Sequence, residues 1–282
     1  MKIAFLGPEG SYSHVAAQAF LRAETEKNQN WADECVPFRN FPEVFSAVES
    51  GRVDSAVVPI ENSLQGGILQ NLDLLQDSKD LYAVQELVVR IDHRLVMKEG
   101  MTISQIGRVY SHRQALDQCA SFLAREMPFA SLREAESTAF GLTRAMEDET
   151  GKSAAIVGSH CTGLRRGFVM SEESVADEKN NYTHFLLIKK GKDSLPSTGN
   201  RVFISAVCPH KPGSLLELLQ IIAKYGVNMT KIESRPIKDR PGDYRFFIEA
   251  DCNLASPIVL EMLQAVKTGT LECKLLGAYT HI

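Results

Sequence analysis

Two kinds of residue in this chain are placed to do chemistry. The first is the pair Thr183-His184, which opens an apolar run in Asn180-Asn-Tyr-Thr-His-Phe185. A threonine hydroxyl can donate one hydrogen bond and accept others. An imidazole, with an unperturbed pKa of about 6.5, changes charge near neutrality. In isolation the pair also fits a plain strand start, with a β-branched residue beside a half-exposed histidine. The second kind is a repeated style of loop, in which an apolar run ends in a small polar tip. The tips are Gly7-Pro-Glu-Gly-Ser-Tyr-Ser13, Pro59-Ile-Glu-Asn-Ser63 with Gly66-Gly67, Ser111-His-Arg-Gln114, Glu136-Ser-Thr138 and Gly158-Ser-His160. Ser or Thr before a helix is first of all a cap, and Ser111 with Gln114 fits a capping box. Together the tips imply more. Several helix N-termini aimed into one crevice supply N–H donors and positive dipole ends, which hold a small anion without a basic surface.

Other chemistries lack their residues. Gly7-x-x-Gly10 is neither a dinucleotide fingerprint nor a Walker loop, and no Gly-x-Ser-x-Gly run is present. The six cysteines show no Cys-x-x-Cys spacing and the seven histidines no metal-binding spacing. We therefore expect no metal site and no disulfide. The net charge of −4 comes from acids and bases mixed along the chain, which argues against nucleic acid. No apolar run nears the roughly 20 residues of a membrane span. Ile3–Leu6 is too short for a signal-peptide core, so a cytoplasmic protein is expected.

The elements that must position these residues follow from periodicity. Strands are expected at 2–6, 53–59, 83–90, 107–110, 129–134, 153–157 and 184–189, and helices at 13–22, 41–50, 67–76, 112–126, 138–149 and 160–166. Such alternation reads as α/β with helices covering a mostly parallel sheet. Ligands of such sheets gather at the carboxyl ends of strands, where the polar tips lie. A polar, Gly/Ser/Pro-rich stretch ends this part, giving a first domain at 1–190 and a linker at 191–200. The remainder, 201–282, reads βαββαβ, the ferredoxin-like α+β order. Its open sheet face or edge invites pairing with a second copy.

The motifs jointly resemble the prephenate dehydratase family. Gly7–Ser13, Val58-Pro-Ile-Glu-Asn-Ser63 with Gly66, Ser111–Cys119 and Glu136-Ser-Thr-Ala139 carry the resemblance in the catalytic part. In the tail, His210-Lys-Pro-Gly-Ser-Leu-Leu216 and Ile232-Glu-Ser-Arg-Pro236 resemble an ACT domain. The resemblance implies a two-lobed, periplasmic-binding-protein-like (type II) catalytic domain. The implied reaction turns prephenate into phenylpyruvate with loss of water and carbon dioxide, using no cofactor. The implied catalytic residues are Thr183, His184, Asn62 and Ser63. Implied substrate contacts are Ser11, Ser13, Ser111, Gln114, Ser137, Thr138 and Phe185. An implied phenylalanine effector would meet Gly213, Ser214, Leu215, Asn228, Glu233, Ser234 and Arg235, in a homodimer or homotetramer built through the ACT domains. The family's motif is Thr-Arg-Phe, whereas this chain has Thr-His-Phe. A titratable residue thus replaces a permanent cation, and Arg165 or Arg166 is a candidate replacement charge.

The rival readings are a decarboxylase that keeps the hydroxyl and a non-catalytic sensor. Incubating the protein with prephenate at alkaline pH separates them. Phenylpyruvate is the expected product; a non-aromatic product or unchanged prephenate would favour one rival or the other.

Overall fold

A computed structural model describes residues 1–25, 34–161, 163–238 and 240–281. The first lobe runs through β1 (Lys2–Leu6), α1 (Tyr12–Thr25), β2 (Glu34–Phe38), α2 (Phe41–Glu49), β3 (Ser55–Asn62), the short β4 (Gly66–Gly67), α3 (Leu69–Asp77) and β5 (Leu81–Arg90). The second lobe holds β6 (His93–Lys98), β7 (Arg108–Ser111), α4 (Arg113–Asp117), α5 (Ala120–Glu126), β8 (Ser131–Glu134), α6 (Thr138–Glu147), β9 (Ser153–Gly158) and β10 (Phe168–Met170). The chain then returns to the first lobe as β11 (Tyr182–Lys190). The third unit is β12 (Arg201–Val207), α7 (Ser214–Lys224), β13 (Asn228–Pro236), β14 (Tyr244–Asp251), α8 (Pro257–Gly269) and β15 (Glu272–His281).

The two lobes repeat one plan. The first orders its strands β5-β11-β3-β1-β2, and the second β10-β6-β9-β7-β8. In each, three strands pair parallel, while the strand supplied by the crossing chain pairs antiparallel. The chain crosses between lobes twice, and the crossings are tied where the Ile91 amide donates to the Asn181 carbonyl at 2.8 Å. Strand β3 is buried at seven of its eight positions because helices cover both faces, so it reads as a near-continuous apolar run.

Some expected elements change. The helix expected at 112–126 breaks into α4 and α5 around Gln118-Cys119. The helix expected at 160–166 is absent among its described residues; tight turns close at Cys161 and Phe168, and Gly167 takes φ +87°, which ends a helix rather than continuing one. Thr162, within that stretch, and Ile282 lie outside the described residues. Strands β2, β6 and β10 were not anticipated: β2 contains Pro37, tolerated because it is an edge strand. Cys119, Cys161, Cys208, Cys252 and Cys273 are free thiols. No described helix is long and apolar enough to cross a membrane.

The ferredoxin-like unit is not a loose appendage. Its sheet, ordered β13-β14-β12-β15, continues into the first lobe because β15 pairs in parallel with β5. One face carries α7 and α8 over Val202, Ile204, Leu218, Ile222, Ile248, Met262 and Val266. The other face, expected to stay open for a second copy, packs on its own catalytic lobe. Phe203, Phe247, Leu276 and Tyr279 are fully buried in one core with Leu72, Leu75 and Leu81. The edge β13 remains without a strand partner on its outer side among the described residues.

Gly277 makes this junction possible. A Cβ there would lie 2.5 Å from the Ala83 carbonyl oxygen and 2.9 Å from the Ala83 nitrogen, both rigid backbone. Gly277→Ala should therefore destabilise the protein by about 2 kcal/mol, the usual cost of overpacking. Urea unfolding measures it; an unchanged midpoint would mean that the β5–β15 contact is not close in solution.

Candidate functional site

A cleft of about 420 Å³ lies between the two lobes, a size suited to a small metabolite. Its walls come from the polar tips: Ser11 and Tyr12 beside α1, Asn62 and Gln65 after β3, Ile68 before α3, His112 and Gln114 at α4, and Ser137 and Thr138 at α6. The expected convergence of helix starts is present. Leu6, Pro59, Ile68, Ile91, Ala115 and Phe185 make the apolar wall; among the described residues Glu136 is the one lining carboxylate and no lysine or arginine lines the cleft. An anion held here relies on N–H groups, amides and helix dipoles.

At its floor, Asn62 and Thr183 face each other as direct strand partners. A bulge causes this. Phe185 pairs with Pro59 and His184 with Glu61, so β3 carries one extra residue, Ile60, opposite this step. Regular pairing would set Thr183 against Glu61; the extra residue instead puts Asn62 on the cleft face. Asn62 Oδ1 accepts from the Leu64 and Gln65 amides at 3.1 and 3.2 Å, which fixes which end of its amide is oxygen. Its Nδ2 then donates to Asn181 Oδ1 at 2.8 Å and to Thr183 Oγ1 at 3.0 Å. Since Thr183 Oγ1 accepts from Asn62, its own O–H is left to donate into the cleft.

Other expected residues fall in place or do not. Ser11, Gln114, Ser137, Thr138 and Phe185 line the cleft with Asn62 and Thr183. Gln114 Nε2 donates to Gln65 Oε1 at 2.9 Å, joining the second lobe to the first across the mouth. Ser137 caps α6, accepting from the Phe140 amide at 3.0 Å. Ser13, Ser111 and Ser63 are not lining residues. Ser13 is buried inside α1. Ser111 is fully buried and donates to the Ile156 carbonyl at 2.6 Å, so His112, not Ser111, caps α4. Ser63 is exposed outside the cleft and accepts from the Tyr182 amide at 2.9 Å.

His184 also departs from its expected place. Strand alternation sends it to the face opposite Thr183, where Nδ1 lies 2.8 Å from Glu86 Oε1. The hydrogen bond to Glu86 raises its pKa, with burial opposing and the nearby Glu61 and Glu249 adding to the rise. Arg165 lies near Glu147 at 3.6 Å and Arg166 lines no part of the cleft, so neither replaces a cleft charge.

Several cleft residues went unselected. Tyr12, His112, Gln118 and Glu136 stood inside the quoted motifs without being singled out. His93 gave no local signal, because only the crossing of the chain brings it here. His93 Nε2 bonds Gln118 Oε1 at 2.7 Å, and burial lowers its pKa, which leaves it neutral. Gln118 Nε2 has no hydrogen-bond partner among the described residues. The Tyr12 hydroxyl donates to the Asp92 carbonyl at 2.6 Å and accepts from the Asp92 amide at 2.8 Å, clasping α1 to the crossing strand.

The expected effector residues do not gather at one place in a single chain. Gly213 takes φ +83° before α7, and Ser214 lines a pocket of about 360 Å³ with His210, Lys211 and Tyr244. Leu215 joins the helix-side core, Asn228 donates to Asp251 at 3.4 Å, and Ser234 is exposed. Glu233 and Arg235 face the catalytic lobe instead: the Glu233 carboxylate lies against Gly67, and Arg235 pairs with Asp73 at 2.6 Å.

A two-lobed cleft shaped for a small anion, fused to a ferredoxin-like sheet, defines a small-molecule enzyme with an attached regulatory module. The prephenate dehydratase family model matches residues 3–193 and the ACT domain model residues 202–267, so the chain belongs to the prephenate dehydratase family. A bifunctional chorismate mutase/prephenate dehydratase of Aquifex aeolicus is 33% identical over 279 residues, covering 99% of this chain and 73% of that protein. A prephenate dehydratase of Amycolatopsis methanolica is 31% identical over 282 residues, covering 99% and 88%. The crystal structure of prephenate dehydratase in complex with L-Phe from Arthrobacter aurescens superposes with TM-score 0.84 at 29% identity, covering 99% and 90% of the two chains.

Asn62→Asp tests the floor of the cleft. It removes the donor to Thr183 and adds a negative charge facing an anion. We expect kcat/KM to fall by roughly 10²-fold or more, as when one preorganised donor is lost. Activity within a few-fold of wild type would separate Asn62 from the chemistry.

Proposed function

We propose that Thr183 and Asn62 together carry the prephenate dehydratase reaction of this chain. The observation that supports this is the direction of their hydrogen bond, which leaves the threonine O–H as a donor into the cleft. The reaction consumes one proton: the prephenate dianion yields the phenylpyruvate anion, carbon dioxide and water. The C–OH bond breaks as its oxygen gains a proton, and the electron pair of the ring C–COO⁻ bond enters the ring to complete aromatisation. Thr183 donates a hydrogen bond to the departing hydroxyl, and positioned proton donation is worth roughly 10²–10⁴-fold. The amide of Gln118, the hydroxyl of Ser11 and the N-termini of α1 and α6 hold the carboxylates. The apolar wall at Phe185 and Ile91 favours release of carbon dioxide, because charge disperses as the carboxylate departs.

The same reading extends to the tail. We take 1–190 as the catalytic domain, 191–200 as linker and 201–282 as the ACT domain. L-Phenylalanine acts as effector near Gly213 and Ser214, a reading supported by the L-Phe complex of the Arthrobacter aurescens relative. The ACT domains join two copies: the outer edge of β13 and the exposed Ile232, Tyr244, Leu216 and Leu260 suit a self-contact. Free thiols suit a reducing cytoplasm.

Two variants test the catalytic part. Thr183→Ala should lower kcat by roughly 10²–10⁴-fold, while Thr183→Ser, which keeps the hydroxyl, should retain most of it. Equal loss in both would mean that the methyl group and packing matter, not the hydroxyl. For the tail, Gly213→Val strains a left-handed position and should raise the phenylalanine concentration for half-inhibition by about tenfold; unchanged inhibition would put the effector elsewhere.

A further inference from the structure

The catalytic pair has a reverse side. On β3 and β11 the partners Asn62 and Thr183 face the cleft, and the adjacent partners Glu61 and His184 face the ACT sheet. Glu61 is gripped from that sheet directly, and His184 through Glu86 of the first lobe. Glu86 of β5 is 3% exposed and is held on both oxygens, by His184 at 2.8 Å and by Arg201 of β12 at 3.0 Å. Arg201 also reaches Asp251 of β14 at 3.3 Å. Lys231 of β13, whose side chain is 9% exposed, pairs at 2.5 Å with Glu61. Glu61 therefore ends on a charge of the regulatory unit, and His184 on a carboxylate that a second such charge holds.

From this juxtaposition we infer that Glu86, clamped between Arg201 of the ACT sheet and His184 of β11, is a positioning residue through which the ACT domain sets the Asn62–Thr183 pair. His184 makes this link proton-dependent. The inference rests on Asn62–Thr183 being the catalytic pair.

A buried carboxylate needs its partners. Burial alone would raise the Glu86 pKa, but the His184 hydrogen bond and the charges of Arg201, His184 and His281 bring it below the usual range, so Glu86 stays ionised. With His184 protonated, the carboxylate holds a cation on each side and pulls β11 and β12 onto β5. With His184 neutral, one arm weakens and an ionised Glu86 is left half-paired in a dry site, a costly arrangement. The groups facing His184 from the packed elements are Glu86 on β5, Glu61 on β3, Arg201 on β12, Glu249 on β14 and His281 on β15. Burial raises the pKa of Glu249, with the Lys231 charge opposing. Since the His184 pKa is raised, the link is intact at low pH and lost as pH rises through that raised value. An arginine at this position would hold the link at every pH.

The experiment is steady-state turnover of the full chain from roughly pH 6 to 9, the range in which a raised histidine titrates. Wild type, His184→Arg, His184→Gln, Arg201→Gln and the His184→Gln/Arg201→Gln double variant are compared, with a melting curve for each. Wild-type kcat should fall by about tenfold as pH rises, with KM little changed. His184→Arg should be flat at the high plateau and His184→Gln flat at the low one. Arg201→Gln should lower kcat, and the double variant should be little worse than either single. The same pH profile in wild type and His184→Arg, or singles whose effects multiply, overturns the inference. Should His184→Gln fail to fold, the Arg comparison and Arg201→Gln still decide it. Should Thr183→Ala keep wild-type turnover, the catalytic reading fails instead, which is a separate outcome.

Discussion

The structure turns on one rung of the first-lobe sheet. The extra residue in β3 brings Asn62 opposite Thr183, and the hydrogen bond between them aims a hydroxyl into the cleft. Without the bulge the pairing would slip by one residue and every partner would change face. The loops around the rung keep that geometry. Leu64 and Gln65 fix the Asn62 amide, Asn181 accepts from it, and the Asn181 carbonyl in turn ties the two crossings of the chain. The Asn62–Thr183 pair thus lies beside the two crossings between the lobes.

Around that rung, charge is managed without surface cations. Among the described residues no lysine or arginine lines the cleft. The lysines and arginines near the rung lie on its far side, paired with Glu61, Glu86 and Asp73. A dianionic substrate inside the cleft meets neutral donors held by the fold, which need not reorganise as its charge shifts during carbon dioxide loss. Ion pairs on the far side bridge the ACT sheet and the first lobe.

The sequence carried the local parts of this account. Polar tips after strands marked where the cleft would form, and the βαββαβ order marked the tail, because both are written in short periodic stretches. Thr183 and Asn62 were legible through motif resemblance. Three things were not. The bulge at Ile60 is invisible in a run that reads as one apolar strand. The outward turn of His184 depends on which face of β11 meets the cleft, a tertiary fact. The covered face of the ACT sheet depends on Gly277 and on the parallel β5–β15 contact, which joins residues almost two hundred apart in the chain. Ser13 and Ser111 looked like substrate contacts because a buried serine and a lining serine have the same sequence signal.

If Glu86 links the ACT sheet to the Asn62–Thr183 rung, a ligand of the ACT domain is felt at the rung. Amide hydrogen exchange with and without L-phenylalanine tests it directly. Phenylalanine should change protection not only around α7 and β13 but also at residues 61–62 of β3 and 182–184 of β11. Changes confined to the ACT domain, with the rung exchanging as before, would contradict it.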